Sequence, residues 1–254
     1  MVRAAIPPIM NRKGILLLGG SGTRLKHLTQ DGNKHLLTIG SRPMFHYPLS
    51  TLHQAKVKEV LVISGPEDLP DFRKALQDLN PWGFSFTFLE QTLPRGIAES
   101  LILAEGFLSG SSSILMLGDN LFFGQPLNEM LAQANNRTKG ATVFVCQVSN
   151  PSRFGIAELN PELEIVSLQE KPNNPQSNWA VTGLYFFDER ASRWAQILRP
   201  SSRGELEITD LNALYLAENQ LHCQVLPKSV HWIDAGTPDS LEIAKEHAKD
   251  YDQV

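Results

Sequence analysis

Gly14-Ile15-Leu16-Leu17-Leu18-Gly19-Gly20-Ser21-Gly22-Thr23-Arg24-Leu25 is the stretch that decides the fold. An apolar run that ends on glycine reads as a short strand buried on both faces, the pattern of a parallel sheet. The glycines that follow let backbone N–H groups approach an anion closely. In an open α/β sheet, ligands bind beyond the carboxyl ends of the strands. The turn is not a Walker A loop, because Gly-Lys-Ser/Thr does not close it, and as a dinucleotide fingerprint it has its third glycine misplaced. Arg24 sets a cation among the backbone donors, which suits a polyphosphate. A plain tight turn is the other reading of the same residues.

Working outward, strand and helix signals alternate. Val60 to Ile63, Phe84 to Leu89, Ile114 to Leu117 and Ala141 to Val148 read as strands. Met44 to Gln54, a face of Phe72, Leu76 and Leu79, Ile97 to Leu108, and Leu127 to Ala134 read as helices. Such β-α units imply a Rossmann-like α/β fold: a mixed, mainly parallel central sheet flanked by helices. The second half adds short strands at Ile156 to Leu159, Ile165 to Gln169 and Val181 to Phe187. Helices around Ala191 to Leu198 and Ile208 to Glu218, a strand from His222 to Leu226, Trp232-Ile233 and a last helix from Pro238 close the chain. Residues 1–12 read as an extension and 13–254 as a single domain. Within it a first part, about 13–120, carries the glycine turn, and an added lobe covers about 121–254.

Composition narrows the function. The 254 residues are 42% hydrophobic and 20% charged, enough for a sizeable core. The net charge of −4 argues against nucleic-acid binding, though a phosphate pocket needs only a few local cations. The two cysteines, Cys146 and Cys223, sit among apolar neighbours and read as buried, reduced core residues. No apolar run approaches the ~20 residues of a membrane span, and the start is not a signal peptide, so a cytoplasmic protein is expected.

Seven segments then occur in one order. They are Gly19 to Leu25; Arg42-Pro43-Met44 with Tyr47 to Leu52; Leu117-Gly118-Asp119-Asn120; Glu170-Lys171-Pro172; Ala180 to Tyr185; Arg203 to Asp210; and Trp232 to Thr237. In these segments the chain resembles the glucose-1-phosphate thymidylyltransferases, a branch of the sugar-nucleotide pyrophosphorylases. The resemblance implies transfer of a nucleotidyl group from a nucleoside triphosphate, dTTP by preference, to a sugar 1-phosphate, with Mg2+ as cofactor and a homo-oligomer as the assembly. It assigns Arg24 to the triphosphate, Lys34 to the reacting phosphorus, and Asp119 and Asp234 to the metal. Leu18, Gly19, Gly20, Gly22, Thr23, His35, Gln91 and Gly96 fall in the nucleotide subsite. Gly155, Glu170, Lys171, Tyr185 and Arg203 fall in the sugar-phosphate subsite.

The residues also carry bland readings: Asp119 a cap or turn former, Asp234 a turn residue, Glu170-Lys171 a solvated pair, Arg203 a surface side chain, Gln91 a loop glutamine, Tyr185 a core aromatic. Four positions depart from the family. Leu18 stands for the usual alanine, His35 for glutamine, Thr38 for proline and Phe154 for tyrosine. Leu18 and His35 are expected to alter the base or ribose contact. The chain ends soon after its last helix, where longer members carry subunit contacts and a regulatory nucleotide site. Two other readings of the whole stay open: the same reaction with UTP or CTP and another sugar phosphate, or a regulatory protein that binds a nucleotide without turnover.

Overall fold

Strand β1 (Lys13–Leu17) is flanked by strands on both sides. The computed structural model describes residues 11–19, 25, 29 and 32–251. After β1 come a small hairpin of β2 (Thr38–Ile39) and β3 (Arg42–Pro43), then β4 (Glu59–Ser64), β5 (Ser85–Glu90) and β6 (Ser113–Leu117). β1 pairs in parallel with β4 and β6, and β4 with β5. These are the strands read from the apolar runs.

The C-terminal half continues the same sheet. It supplies β7 (Asn120–Gly124), β8 (Ala141–Gln147), β9 (Gly155–Leu159), β10 (Ile165–Glu170), β11 (Trp179–Phe187), β12 (Leu221–Val225) and β13 (Val230–Asp234). β11 lies antiparallel to β6, β8 and β9, β10 lies antiparallel to β9, and β12 runs parallel to β8. Among the described residues the result is a mixed sheet of nine strands whose N-terminal half is wholly parallel. β7 and β13 form a separate antiparallel pair.

Successive side chains of a strand face opposite ways, and the core follows that rule. Leu16, Val60, Val62, Ile114 and Met116 pack one layer, with helices His46–Gln54, Leu69–Asp78 and Leu127–Asn135. Ile15, Leu61, Ile63 and Leu115 pack the other, with helices Glu99–Leu103, Ala191–Gln196 and Ile208–Ala217. Each such fully buried aliphatic side chain contributes about 1.5–3 kcal/mol.

Four expectations need correcting. The predicted helix from Ile97 to Leu108 is two short helices, Glu99–Leu103 and Glu105–Leu108, separated at Ala104, with Gly106 weakening the second. Asn120–Gly124 is a strand that the reading of Asp119-Asn120 as a turn hides. Cys146 and Cys223 are free thiols as expected, but half-buried. Arg12, placed in the N-terminal extension, is 3% exposed. Its guanidinium donates to the Asn135 side chain and to the carbonyls of Phe187 and Arg137, so it is part of the frame. Among the described residues, no helix is long and apolar enough to cross a membrane.

Candidate active site

The carboxyl ends of β1, β4, β5 and β6 open on one side, and hydrogen bonds tie the segments that leave them. Leu18 N donates to Ile63 O at 2.8 Å, Gly118 N to Leu17 O at 2.9 Å and Gln91 N to Ser64 O at 2.8 Å. Asp119 lies between β6 and β7 rather than at a helix cap. Asp234 ends β13, whose register pairs it with Asn120, and Ala235 N donates to Asp119 O at 2.8 Å. Two carboxylates 115 positions apart in sequence are thereby brought side by side. Both flank Gly236: a Cβ there would stand 2.9 Å from Asp234 Oδ1 and 3.6 Å from Asp119 Oδ2. Two hard carboxylate oxygens around a gap that a side chain would fill suit a divalent cation.

Lys34 reaches this pair from a 3-10 turn, Lys34–Leu36, capped by Asn33. Its Nζ sits 2.5 Å from Asp119 Oδ2, and Arg153 approaches Asp234 Oδ2 at 3.5 Å. The two carboxylates are pushed apart in acidity. Burial works to raise Asp119, but the Lys34 ammonium and the Asn120 amide hold it down at about 2. Burial and the neighbouring Asp119 charge raise Asp234, against Arg153 and Lys34.

The same cavity, about 330 Å3, continues to the second half of the chain, where Gly155, Glu170, Lys171 and Tyr185 line it beside Lys34, Asp119 and Asp234. Gly155 and Glu170 are register partners of β9 and β10. Glu170 Oε2 accepts from Thr209 Oγ1 at 2.5 Å, and Gly155 is packed so close that a Cβ would meet Thr209 Oγ1 at 2.9 Å. Lys171, at φ +40°, turns its Nζ back to 3.5 Å from Glu170 Oε1. Arg203 approaches that oxygen at 3.5 Å from outside the cavity lining. It is paired with Glu207 and Glu205, and its hydrogen bonds to Glu207 raise its pKa further.

Two of the other expected contacts, Leu18 and His35, are enclosed in the core. Leu18 is fully buried, and its side chain packs against Gly118, where a Cβ would clash at 2.4 Å. Its carbonyl accepts from Ser64 Oγ and Asn33 Nδ2. Its bulk is core packing, not a wall for a base. His35 is 1% exposed, with Nδ1 donating to Asn33 Oδ1 at 2.7 Å. Burial lowers its pKa to about 3, so the ring is neutral as well as enclosed. Gly96 has φ +104°, and a Cβ would stand 2.3 Å from Leu206 O, so its residue type is set by chain packing. Tyr185 is 4% exposed and stacks on Phe187, and burial with Glu170 raises its phenol. Gly19 lies beside Gln91. Gly20, Gly22, Thr23 and Arg24 lie outside the described residues.

Residues 13–250 match the nucleotidyl transferase family. The chain belongs to that family. A glucose-1-phosphate thymidylyltransferase of Neisseria meningitidis is 47% identical over 232 residues, 91% of this chain and 81% of the relative. One of Xanthomonas campestris is 44% identical over 233 residues, 92% and 79% of the two chains. A solved Bacillus anthracis structure, described as a glucose-1-phosphate thymidylyltransferase in complex with sucrose, superposes with a TM-score of 0.86 at 37% identity, over 94% of this chain and 96% of that one.

Within this family member, several site residues escape sequence reasoning. Arg153 belongs to none of the segments singled out in the sequence, yet it reaches Asp234. Asn120 accepts from Gly183 N at 2.8 Å and Trp232 Nε1 at 2.6 Å, tying β7, β11 and β13 under the cavity. Thr209 and the buried Glu99 carry no local signal, because their partners are distant or lie in loops.

Proposed function

We propose that the chain transfers the thymidylyl group of dTTP to glucose 1-phosphate, giving dTDP-glucose and pyrophosphate. The observation that carries this reading is the single cavity in which Lys34, Asp119, Asp234, Glu170 and Lys171 meet at the strand ends. The phosphate oxygen of glucose 1-phosphate is already anionic, since a phosphate monoester loses its second proton near pH ~6. That oxygen attacks the α-phosphorus. A new P–O bond forms as the α–β bridging P–O bond breaks, and its electron pair leaves on pyrophosphate. No proton has to be removed, so no general base is needed.

The difficulty is electrostatic. Two polyanions must meet, and at 4 Å and an effective dielectric of ~20 one like-charge pair repels by roughly 4 kcal/mol. In this reading Lys34 exchanges Asp119 for oxygens of the reacting phosphate, and Lys171 and Arg203 hold the sugar phosphate. Arg24 grips the triphosphate. Glu170 and the Gly155 backbone take sugar hydroxyls, and Gln91 and Gly96 face the base edge. Asp119 and Asp234 would hold Mg2+, which when bound neutralises phosphate charge. Fixing both substrates in one cavity also supplies alignment.

A panel of dTTP, UTP, dCTP, ATP and GTP, each with glucose 1-phosphate and Mg2+, tests the proposal by pyrophosphate release. The dTTP pair should turn over fastest. Pyrophosphate release from none of them, in folded protein, overturns it.

A further inference from the structure

Glu99 opens the helix Glu99–Leu103, and its carboxylate is almost fully enclosed. Two groups converge on it. Arg95 Nε and Nη2 pair with Oε1 at 2.7 and 2.6 Å, and Arg95 N donates to Oε2 at 3.2 Å. Gln91 Nε2 donates to the same Oε2 at 2.7 Å. A carboxylate paired with a guanidinium offers lone pairs only, so it can take the NH2 end of the Gln91 amide and not the carbonyl end. The carbonyl end is thereby turned to β1: a Cβ on Gly19 would stand 3.2 Å from Gln91 Oε1. The residue's backbone is fixed as well, by the hydrogen bond from Gln91 N to Ser64 O.

We propose that Glu99 is a positioning residue for base selection: it locks the Gln91 amide with its carbonyl toward the base, so that the site takes a pyrimidine carrying N3–H, thymine or uracil, and rejects cytosine. The inference rests on the nucleotidyl-transfer reading. Cytosine presents a lone pair at N3, and a carbonyl held against it leaves two acceptors facing each other without a proton. A closed site discriminates strongly against an unpaired polar group. An amide free to turn over would serve either base, because its two ends are a donor and an acceptor of the same shape. Arg95 and the buried setting of Glu99 remove that freedom.

The test is the ratio of kcat/KM for dTTP to that for dCTP, with glucose 1-phosphate as acceptor. Glu99→Gln supplies a partner that can donate or accept, and the ratio should fall at least ~10-fold, the worth of one oriented hydrogen bond. The loss should appear in the KM for dTTP and not in the KM for glucose 1-phosphate. Glu99→Asp keeps the charge opposite Arg95 but withdraws the acceptor by one methylene, and should lower the ratio too. A folded Glu99→Gln protein with the wild-type ratio overturns the proposal. So does a large shift of the Gln91 side-chain NH2 resonances on dTTP binding to 15N-labelled wild type, a measurement that needs no variant to fold. Should wild type release no pyrophosphate from any pair, the nucleotidyl-transfer reading is the one that fails. Calorimetric Kd values for dTTP and dCTP then judge base selection by itself, and equal values overturn it.

Discussion

Lys34 and Asp119 face each other at 2.5 Å in a nearly closed setting, and each makes sense only with the other. Without Lys34, Asp119 would be a buried carboxylate raised by desolvation; with it, the carboxyl is held at about 2. Under the proposed function this stored ion pair parts when a phosphate and a divalent ion arrive. Asp119→Ala or Lys34→Ala should therefore lower kcat by about 10²–10³, the usual loss for one preorganised electrostatic contact. Pyrophosphate release at saturating substrates, with thermal melting to show that the variant is folded, measures it. Wild-type turnover in either variant removes that residue from the reaction. At Leu18 and His35 the outcome is the reverse of what sequence suggests. Both depart from the family beside the glycine turn, yet both are absorbed by the core around Gly118. A side chain next to a binding motif in sequence has an even chance of pointing away from it, since neighbours on an extended chain face opposite sides.

Between elements, the C-terminal half is held by buried polar hubs, of which Asp188 is the clearest. It follows β11, is 2% exposed, and accepts from Gly140 N at 2.7 Å ahead of β8, from Arg190 at 2.6 Å, and from Tyr215 Oη at 2.8 Å on helix Ile208–Ala217. Burial works to raise its pKa, but Arg190, Gly140 and Tyr215 outweigh it, and the net direction is down. A carboxyl whose folded pKa lies below its unfolded value of 3.8 adds stability above that value, and the contribution is lost as pH falls through the folded one. Asp188→Asn should cost about 3 kcal/mol at neutral pH, the usual result of breaking a buried ion pair. Compared at pH 7 and pH 3 by urea unfolding, the gap between wild type and variant should narrow on the acid side. A gap independent of pH would show that the carboxylate charge does not matter there.

Across the whole molecule, what was legible followed from local pattern. β1, β4 and β6 were plain because apolar runs bounded by turns can be little else. Strand order was not legible. Nothing in the Trp179–Phe187 stretch says that it inserts beside β6 and joins the two halves into one sheet. β7 was hidden because Asn120-Leu121-Phe122-Phe123 follows a Gly-Asp turn and is short. With β7 unseen, the β7–β13 register that brings Asp234 beside Asp119 could not be derived; only the family resemblance paired them. Glu99 was overlooked for a similar reason: a glutamate four residues after an arginine reads as a solvated pair, and its second partner, Gln91, comes from just past the end of β5.

Under the proposed function two phosphates meet in the cavity shared by Lys34, Asp119, Asp234, Glu170 and Lys171. The most direct measurement is a crystal structure with dTDP-glucose and Mg2+. Expected is density for the diphosphate between Lys34 and Lys171, with the metal between Asp119 and Asp234 and the glucose beside Glu170. Product bound away from these residues, or a metal bound without Asp119, would contradict the shared cavity on which the reading depends.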